Sequence, residues 1–447
     1  MSTLLQRLVA HAARHRYETL SPATVAAARR ALLDALGCGI AALGCEPAAI
    51  AARATPPQDG PVTVYGEAAT QSVERAALLN GILVRYLDMM DVYSANDICH
   101  PAENVPLALA AVEHAGGNGR TLVEAIVAGY EAQLRMTHAL SLTGMGMHHV
   151  SAAGLVAPIV IGTAWRVSEA HMEQAAALSG VRGFALHALS KGGLSMAKAL
   201  GYPWAAMDAI LAMRLAQQGC TGPVGLLDWL VTDGPMKNTA TPDAIDAPRA
   251  APLVERVSFK QFPIQFELQT PVALALDLHG QIAGRPIANV AIHTRPATLK
   301  RTADPAKFAP DNRETADHSL PVCVAMALLD GALTAHAFES GRWKAADVKQ
   351  LVSRTQAIGD EALERDHPGG RPARVVVTLA DGSVLEAFAA APLGDVTRPM
   401  DDATLAAKFT ANVSPVWGAA RAAAVLDAVR AIEHCADVRE FTRLLRP

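Results

Sequence analysis

A change in residue pattern near residue 255, and its reversal near residue 401, constrains the fold of this 447-residue chain more than any other feature. Before the change, apolar residues recur mainly at helical spacing. After it, residues 286–295 alternate like a β-strand, and Asp381-Gly382 is a typical two-residue hairpin turn between two β-branched segments. The pattern predicts a mainly α protein, in which a large all-helical domain is interrupted by a smaller α+β domain. The predicted domains are residues 1–264 with 398–447 and, inserted between them, residues 265–397.

Local signals refine this prediction. Asn80-Gly81 is a common hairpin turn, but it lies between apolar segments of helical period, so a helix is expected there. Residues 150–165 form an uncharged run that contains a proline and is too short to span a membrane, which predicts a buried helix. Residues 254–263 are expected to form a strand. Residues 316–340 and 346–354 are expected to form helices.

Composition excludes several classes of protein. The chain is 51% hydrophobic, which is enough for large cores, and its net charge of −4 gives no broad basic surface for nucleic acid. The six cysteines are scattered without a CxxC pair, which indicates reduced thiols in a cytoplasmic protein and no zinc or iron–sulfur site. No long apolar segment or cleavage-like site suggests a membrane span or a targeting peptide.

The segment from Tyr86 to Met136 holds a concentrated group of polar residues. Asp88 and Asp91 are three residues apart and are expected to share a helix face. His100 precedes Pro101, which suits the first position of a helix, so the imidazole is expected beside free amides that attract anions. Acid, imidazole and a potential anion site therefore lie close together, although a simple capped helix–loop–helix would have the same spacing.

Other candidate residues are more distant in the chain. Only nine of the 39 basic residues are lysines, and Lys198 and Lys260 stand in apolar or glycine-rich surroundings. Each could bind a substrate carboxylate or transfer a proton, although each could equally lie at the end of an element with its ammonium in water. His148 and His149 follow a glycine-rich loop, where one of them could act as an acid or base. No motif for a metal, a nicotinamide or a phosphate loop is present, so no cofactor is expected.

Six segments in this order resemble the MmgE/PrpD family, which includes 2-methylcitrate dehydratases and cis-aconitate decarboxylases. They are ALLNGILVRYLDMMD, CHPAENVPLALAAVEHAGGNGRTLVEAIVAGYE, MAKALGYPWAA, FKQFPIQFELQT, DNRETADHSLPVCVAMALLDG and GDVTRPMD. The resemblance implies a homodimer with a helical domain and a lid, and a metal-independent lyase acting on a small di- or tricarboxylate. It assigns active-site roles to Asp88, His100, one of His148 and His149, Lys198 and Lys260.

The chain departs from the family pattern at three polar positions. Val92 replaces a threonine, Glu267 replaces a histidine, and Val322 replaces a tyrosine. A glutamate near a polyanionic substrate would repel it, unless Glu267 carries a proton or faces a neutral or positive group of the substrate. These differences place the particular substrate in question more than the family.

The sequence thus predicts abstraction of a proton next to a carboxylate, followed by loss of water or, as an alternative, of carbon dioxide. In this hypothesis Lys198, Lys260 and the helix beginning at Pro101 hold carboxylates, with Asp91 and Glu267 also contacting the substrate. Asp88 and His100 form the acid/base pair, which His148 or His149 assists. Two alternatives remain open: an epimerase or isomerase of an imino- or amino-dicarboxylate such as iminodisuccinate, and a non-catalytic homologue that binds carboxylates.

Overall fold

The computed structural model describes residues 2–447, which form a larger helical lobe and a smaller lobe built around a sheet. One hydrophobic core draws on residues 4–259 and 400–445, and a second draws on residues 262–379. The mainly α class predicted from the sequence is confirmed. The domain limits at 264/265 and 397/398 stay a prediction, since two cores describe packing rather than independent units.

The larger lobe is made of α-helices that pack around apolar helices at its centre. The helix Ala153–Ala164 is buried at every residue and contains Pro158, which agrees with the buried helix predicted for this run. Two short strand pairs, Val62–Thr63 with Thr70–Gln71 and Tyr93–Ser94 with Ile98–Cys99, lie among the helices. The α-helices of this lobe are Leu4–Ala13, Pro22–Ala41, Glu46–Ala54, Val73–Tyr86, Asn104–Ala115, Gly119–Ala139, Ala153–Ala164, Glu169–Gly180, Ala197–Gln217, Leu226–Thr232, Asp402–Trp417, Ala419–Arg430 and Val438–Thr442.

The smaller lobe contains a four-stranded sheet whose order is Thr355–Gly359, Ile287–Thr294, Ala373–Leu379 and Val384–Ala389. The first two strands are parallel and the other pairs are antiparallel. Every second residue of Ala373–Leu379 is buried, as expected for a sheet with one face on the core. The helices of this lobe are Gln269–Ile282, Pro296–Thr302, Pro305–Phe308, Arg313–Ala316, Leu320–Asp330, Ala335–Glu339, Ala346–Val352 and Glu361–Asp366.

Two local predictions are confirmed. Asp381-Gly382 joins the last two antiparallel strands, with Gly382 at a φ of 85° that suits a residue without a Cβ. Asn80-Gly81 lies inside the helix Val73–Tyr86, where the buried Asn80 amide donates to Thr63 O and accepts from Tyr65 N. The asparagine is therefore a tertiary link between a helix and a neighbouring segment and not a turn residue.

Two other local predictions are wrong. Residues 254–263 form no strand, because Leu253–Arg256 is a 3₁₀ turn and the rest pairs with Val92 only through an isolated bridge at Ser258. The single helix predicted for 316–340 is divided, because Ser319 caps a new helix at Leu320 and Gly331, with a φ of 64°, ends it.

Within the described residues, no single helix is long and apolar enough to cross a bilayer. Only the pair Pro22–Ala41 and Glu46–Ala54 passes that test jointly, and the two helices meet at 84°.

Candidate active site

Asp88 is the centre of a buried ionic cluster. Its carboxylate Oδ1 accepts hydrogen bonds from Lys260 Nζ at 2.8 Å and from Arg85 Nη1 at 2.9 Å, and its Oδ2 accepts one from Lys198 Nζ at 3.1 Å. Lys260 Nζ also donates to the Asp88 carbonyl oxygen at 2.8 Å. Lys198 and Lys260 are 110 and 172 residues away from Asp88 in the sequence, so only the tertiary fold brings them together.

The backbone at Asp88 has a φ of 51°, which is the left-handed region that a residue with a side chain seldom adopts. The helix Val73–Tyr86 ends just before it, and Lys260 bonds to both the main chain and the side chain of Asp88. Because of this reversal, Asp88 and Asp91 do not share a helix face, and that prediction is wrong. Local strain at a residue so heavily constrained by its neighbours is common at functional sites.

The charges around Asp88 fix its ionisation. Burial alone would raise the pKa of Asp88, but the Lys198 and Lys260 ammoniums and the Arg85 guanidinium hold that pKa well below its usual range. In turn, burial lowers the pKa of Lys198 and lowers that of Lys260 to about 8, despite the attraction of Asp88. The cluster therefore contains a permanent carboxylate and an ammonium group, that of Lys260, that can lose its proton near neutral pH.

His100 is oriented by a main-chain contact. Its Nδ1 lies 2.8 Å from the Asp91 carbonyl oxygen, and because a carbonyl only accepts, Nδ1 carries the proton. Nε2 is then unprotonated, and it lies 3.9 Å from Asp88 Oδ1. Burial and the nearby Lys260 and Arg85 lower the pKa of His100 well below its usual value, so the ring is neutral at neutral pH.

The contacts of the Asp91 side chain are structural. Its carboxylate accepts from Tyr130 Oη at 2.6 Å and from the Ala102 amide at 2.8 Å, and burial raises its pKa to about 7. The amide of Ala102 belongs to the 3₁₀ turn Pro101–Glu103 that precedes the helix Asn104–Ala115. The predicted anion site at the helix beginning at Pro101 is therefore wrong, because Asp91 itself occupies the amide.

Both histidines of the 148–149 pair reach the site, which removes the need to choose between them. The His149 ring contacts the His148 ring, with centroids 4.1 Å apart, and the His100 ring at 5.2 Å. The Nε2 atom of His149 lies 3.7 Å from Glu103 Oε2, while His148 Nδ1 accepts from the Val150 amide at 3.4 Å. Burial also lowers the pKa of His148 well below its usual value.

Glu267 does not line the site. Its carboxylate lies 3.2 Å from Arg295 Nη2 in the smaller lobe, and the residues that face the site from this turn are Gln265 and Phe266. The Gln265 side chain accepts from the Glu267 amide, which fixes the turn with Glu267 directed away. The structure therefore does not support the predicted contact of Glu267 with the substrate, and repulsion of a polyanion by this residue no longer arises.

The other two departures from the family pattern are also outside the cavity lining. Val92 is buried and exchanges two backbone hydrogen bonds with Ser258. Val322 belongs to the core of the smaller lobe. Neither side chain therefore contributes to the surface of the cavity.

The second half of the ionic cluster was not predicted from the sequence. Arg85 bridges Asp88 and Glu103, with its Nε 3.1 Å from Glu103 Oε1. Asp317 and His318 of the smaller lobe approach from the opposite side, with His318 Nε2 3.2 Å from Asp88 Oδ2. The segment DNRETADHSLP already contained this acid–imidazole pair, but no helical or strand periodicity distinguishes it.

These side chains enclose a small cavity of about 70 Å³ between the lobes. The larger lobe and the segment after it contribute Arg85, Asp88, His100, His148, His149, Lys198 and Lys260. The smaller lobe contributes Gln265, Phe266, Arg301 and His318. The lining thus combines cationic groups with imidazole rings, which suits an anionic ligand that exchanges a proton.

Asp88, Asp317 and His318 place their ligand atoms within 4.8 Å of one another, which is close enough to hold a metal ion. The donor set fits poorly, however, because Lys198, Lys260 and Arg85 already neutralise Asp88, and Arg313 Nη1 donates to Asp317 Oδ2 at 2.8 Å. A divalent cation would add to positive charges that are already in contact with both carboxylates.

Comparison with known proteins agrees with this architecture. The MmgE/PrpD N-terminal domain matches residues 6–239 and the MmgE/PrpD C-terminal domain matches residues 262–434, so the chain belongs to the MmgE/PrpD family. It is 30% identical to the 2-methylcitrate dehydratase of Cupriavidus necator over 434 residues, covering 89% of this chain and 88% of that protein. It is 27% identical to the 2-methylcitrate dehydratase of Escherichia coli K12 over 432 residues, with the same coverage. Similarity extends to the mitochondrial 2-methylcitrate dehydratase of Yarrowia lipolytica, at 25% identity over 83% of this chain and 76% of that protein.

Proposed function

We propose that this protein is a carbon–oxygen lyase that removes water from a small hydroxylated di- or tricarboxylic acid, with 2-methylcitrate as the first substrate to test. The observation that carries the proposal is the cavity in which Lys198, Lys260 and Arg85 surround Asp88 beside neutral imidazoles. Relatives along most of the chain that are named 2-methylcitrate dehydratase support the same reaction class.

The chemistry requires a carbon next to a carboxylate to lose a proton. Such a proton is weakly acidic, because its removal places further negative charge on the carboxylate oxygens. Lys198, Lys260, Arg85 and Arg301 all line the cavity and can stabilise that charge where water is scarce. Fixed cations of this kind contribute about 3–4 kcal/mol each when they are aimed at developing charge.

The ionisation states change the scheme expected from the sequence. Asp88 is held as a carboxylate by three cationic groups, so its function in the proposal is to position Lys198 and Lys260 rather than to take the proton from the substrate. His100, His148, His149 and His187 line the cavity from the larger lobe and can bond to the substrate through imidazole nitrogens. His100 presents an unprotonated Nε2, which suits it to accept a hydrogen bond from a substrate hydroxyl.

The cavity implies movement of the smaller lobe. A space of about 70 Å³ holds only a few water molecules, which is less than a tricarboxylic acid requires. We therefore propose that the smaller lobe, which contributes Gln265, Phe266, Arg301 and His318, acts as a lid that opens for substrate and closes over it. The proposal also includes a homodimer, which the family resemblance implies, and a cytoplasmic location, which the scattered cysteines indicate.

The test is turnover of 2-methylcitrate, citrate, cis-aconitate and iminodisuccinate by the purified protein in D₂O, followed by NMR and mass spectrometry. Loss of water, seen as alkene signals with the expected mass change, would support the dehydratase. Deuterium that enters an amino- or imino-dicarboxylate without loss of water would instead indicate an epimerase. Binding without conversion of any of these acids would contradict the lyase and support a non-catalytic homologue.

A further inference from the structure

His318 lies between two carboxylates at the boundary of the lobes. Its Nδ1 makes a close contact with Asp317 Oδ1, and its Nε2 lies 3.2 Å from Asp88 Oδ2 at the cavity. The residue occupies the short connection between the helices Arg313–Ala316 and Leu320–Asp330, and its side chain is 9% exposed. It is thus the imidazole that the smaller lobe presents to the cationic cluster of the larger lobe.

Asp317 is rigidly held behind this imidazole. Its Oδ2 accepts from Arg313 Nη1 at 2.8 Å, and its carbonyl oxygen accepts from the Gln265 amide at 3.2 Å. Burial would raise the pKa of Asp317, but Lys198, His318 and Arg313 lower it below its usual value. An ionised Asp317 only accepts, so the single proton of the neutral His318 ring lies on Nδ1, and the unprotonated Nε2 is at the cavity beside Asp88 Oδ2.

The comparison with His100 shows why His318 is better suited to receive a proton. The Nδ1 of His100 donates to a neutral carbonyl oxygen, while that of His318 donates to a carboxylate. A carboxylate stabilises the imidazolium that forms when Nε2 is protonated, and a carbonyl does so far less. Burial and Lys198 lower the pKa of His318, which leaves the ring neutral and ready to act as a base.

We propose that His318 is the general base that removes the proton next to the substrate carboxylate and that Asp317 is its positioning residue. This inference rests on the proposed dehydratase function. His318 Nε2 takes the proton, and the electron pair of the C–H bond moves onto the adjacent carboxylate. The pair then returns to form the second bond between the two carbons, as the C–O bond breaks with its electrons on oxygen. The departing hydroxide takes a proton from the Lys198 ammonium and leaves as water.

The geometry also provides a route by which Lys198 and His318 regain their starting protonation states. A single oxygen, Asp88 Oδ2, lies 3.1 Å from Lys198 Nζ and 3.2 Å from His318 Nε2. The proton gained by His318 can therefore pass along this contact to the neutral Lys198 amine after water has left. Asp88 and Asp317 therefore flank His318 on both sides, and both carboxylates stabilise the imidazolium once it forms.

The experiment separates removal of the proton from loss of water. Wild-type protein and H318Q are compared in dehydration of 2-methylcitrate and in deuterium exchange from D₂O into tricarballylate, which has the carboxylates but no leaving hydroxyl. We expect H318Q to lose about 10²–10⁴-fold in both reactions, because both need the same base. The exposed His336 provides the control H336Q, for which both rates stay at the wild-type level.

Two results would overturn the proposal. If H318Q dehydrates 2-methylcitrate at a rate within threefold of wild type, His318 is not the base. If H318Q exchanges deuterium at the wild-type rate but no longer dehydrates, His318 instead protonates the leaving hydroxyl group. If wild type dehydrates none of the acids tested, the proposed function fails instead.

If H318Q fails to fold, a measurement on the wild-type protein tests the same proposal. ¹⁵N NMR of histidine-labelled wild type should show His318 with a protonated Nδ1 in a strong hydrogen bond and a bare Nε2. A proton on Nε2 with a bare Nδ1 would contradict the proposal. The D317N variant should lose exchange about tenfold or more and raise the population of the opposite tautomer, which a purely structural role would not change.

Discussion

Asp88 and Asp91 lie three residues apart and are equally buried, yet the two regions that they occupy differ sharply. On the cavity side, Asp88 contacts two ammoniums and a guanidinium and remains ionised. On the interior side, Asp91 contacts a tyrosine hydroxyl and a backbone amide, and burial raises its pKa to about 7. The difference shows that charge in the surroundings, and not burial or sequence spacing, separates the carboxylate of the cavity from the structural one.

The largest effect is expected for D88N, which removes the charge at the centre of the cluster. Lys198, Lys260 and Arg85 would then be buried without their common partner, so the free energy of unfolding should fall by about 3–5 kcal/mol. We expect kcat/KM to fall by at least about 10³-fold, because the cations also lose their positions. Urea unfolding and steady-state kinetics measure the two effects.

A double variant sharpens this prediction. D88N/K260M removes a cation together with the carboxylate and should recover part of the lost stability while remaining inactive. Recovery of activity in the double variant, or full activity in D88N, would contradict the proposed arrangement.

The K198M variant tests one cation of the cavity. Lys198 contacts Asp88 and lies 3.9 Å from Asp317, so its loss affects both carboxylates. We expect kcat/KM to fall about 10²–10³-fold, which is the usual effect of removing one group that stabilises developing charge. K237M, at an exposed lysine, is the matched control, and equal rates for the two variants would show that the cavity is not the site.

Variants of Asp91 should affect stability more than rate. D91A leaves the Ala102 amide and the Tyr130 hydroxyl without their partner, which should lower the free energy of unfolding by about 1–3 kcal/mol. Turnover should fall by less than about tenfold, because Asp91 reaches the cavity only through its carbonyl bond to His100. A loss of turnover as large as that of D88N would abolish the distinction between the two regions.

The same residue predicts a dependence of stability on pH. The pKa of Asp91 is about 7 in the folded chain, above its ordinary value near 4, so the folded state holds a proton that the unfolded state releases. Its contribution is therefore present in acid and is lost as the pH rises through about 7. Unfolding at pH 5 and pH 8 should show D91N gaining stability relative to wild type at the higher pH; an unchanged difference would refute the shift.

The smallest effect is expected from the titration of Lys260. Its pKa of about 8 means that the ammonium loses its proton just above neutral pH. If the charged form binds the substrate carboxylate, kcat/KM should fall about tenfold between pH 7 and pH 9. A rate constant that is level to pH 9.5 would show that Lys260 stays protonated or is not needed in charged form.

The sequence predicted the fold better than the directions of side chains. Helical spacing and the Asp381-Gly382 turn were sufficient for the main architecture, because they reflect local preferences. The family resemblance was the basis for predicting that Asp88, His100, Lys198 and Lys260 share one site. Spacing alone could not have done so, since the lysines approach from segments far away in the chain.

The predictions were wrong where tertiary contacts determine the direction of a side chain. The left-handed backbone at Asp88 turned Asp91 towards the interior, and the turn fixed by Gln265 directed Glu267 to Arg295. His318 was missed because it lies between two helices, where no periodic pattern indicates its direction. Its role depends on Asp317, whose orientation comes from Arg313 one helical turn earlier.

The most direct test of the contrast between the two carboxylates is a pH titration of ¹³C-aspartate-labelled protein by NMR, with D88N and D91N used to assign the two signals. Asp88 should show the shift of a carboxylate at every pH at which the protein stays folded, while Asp91 should titrate near pH 7. Titration of Asp88 near neutral pH, or an Asp91 signal that is ionised throughout, would contradict the account.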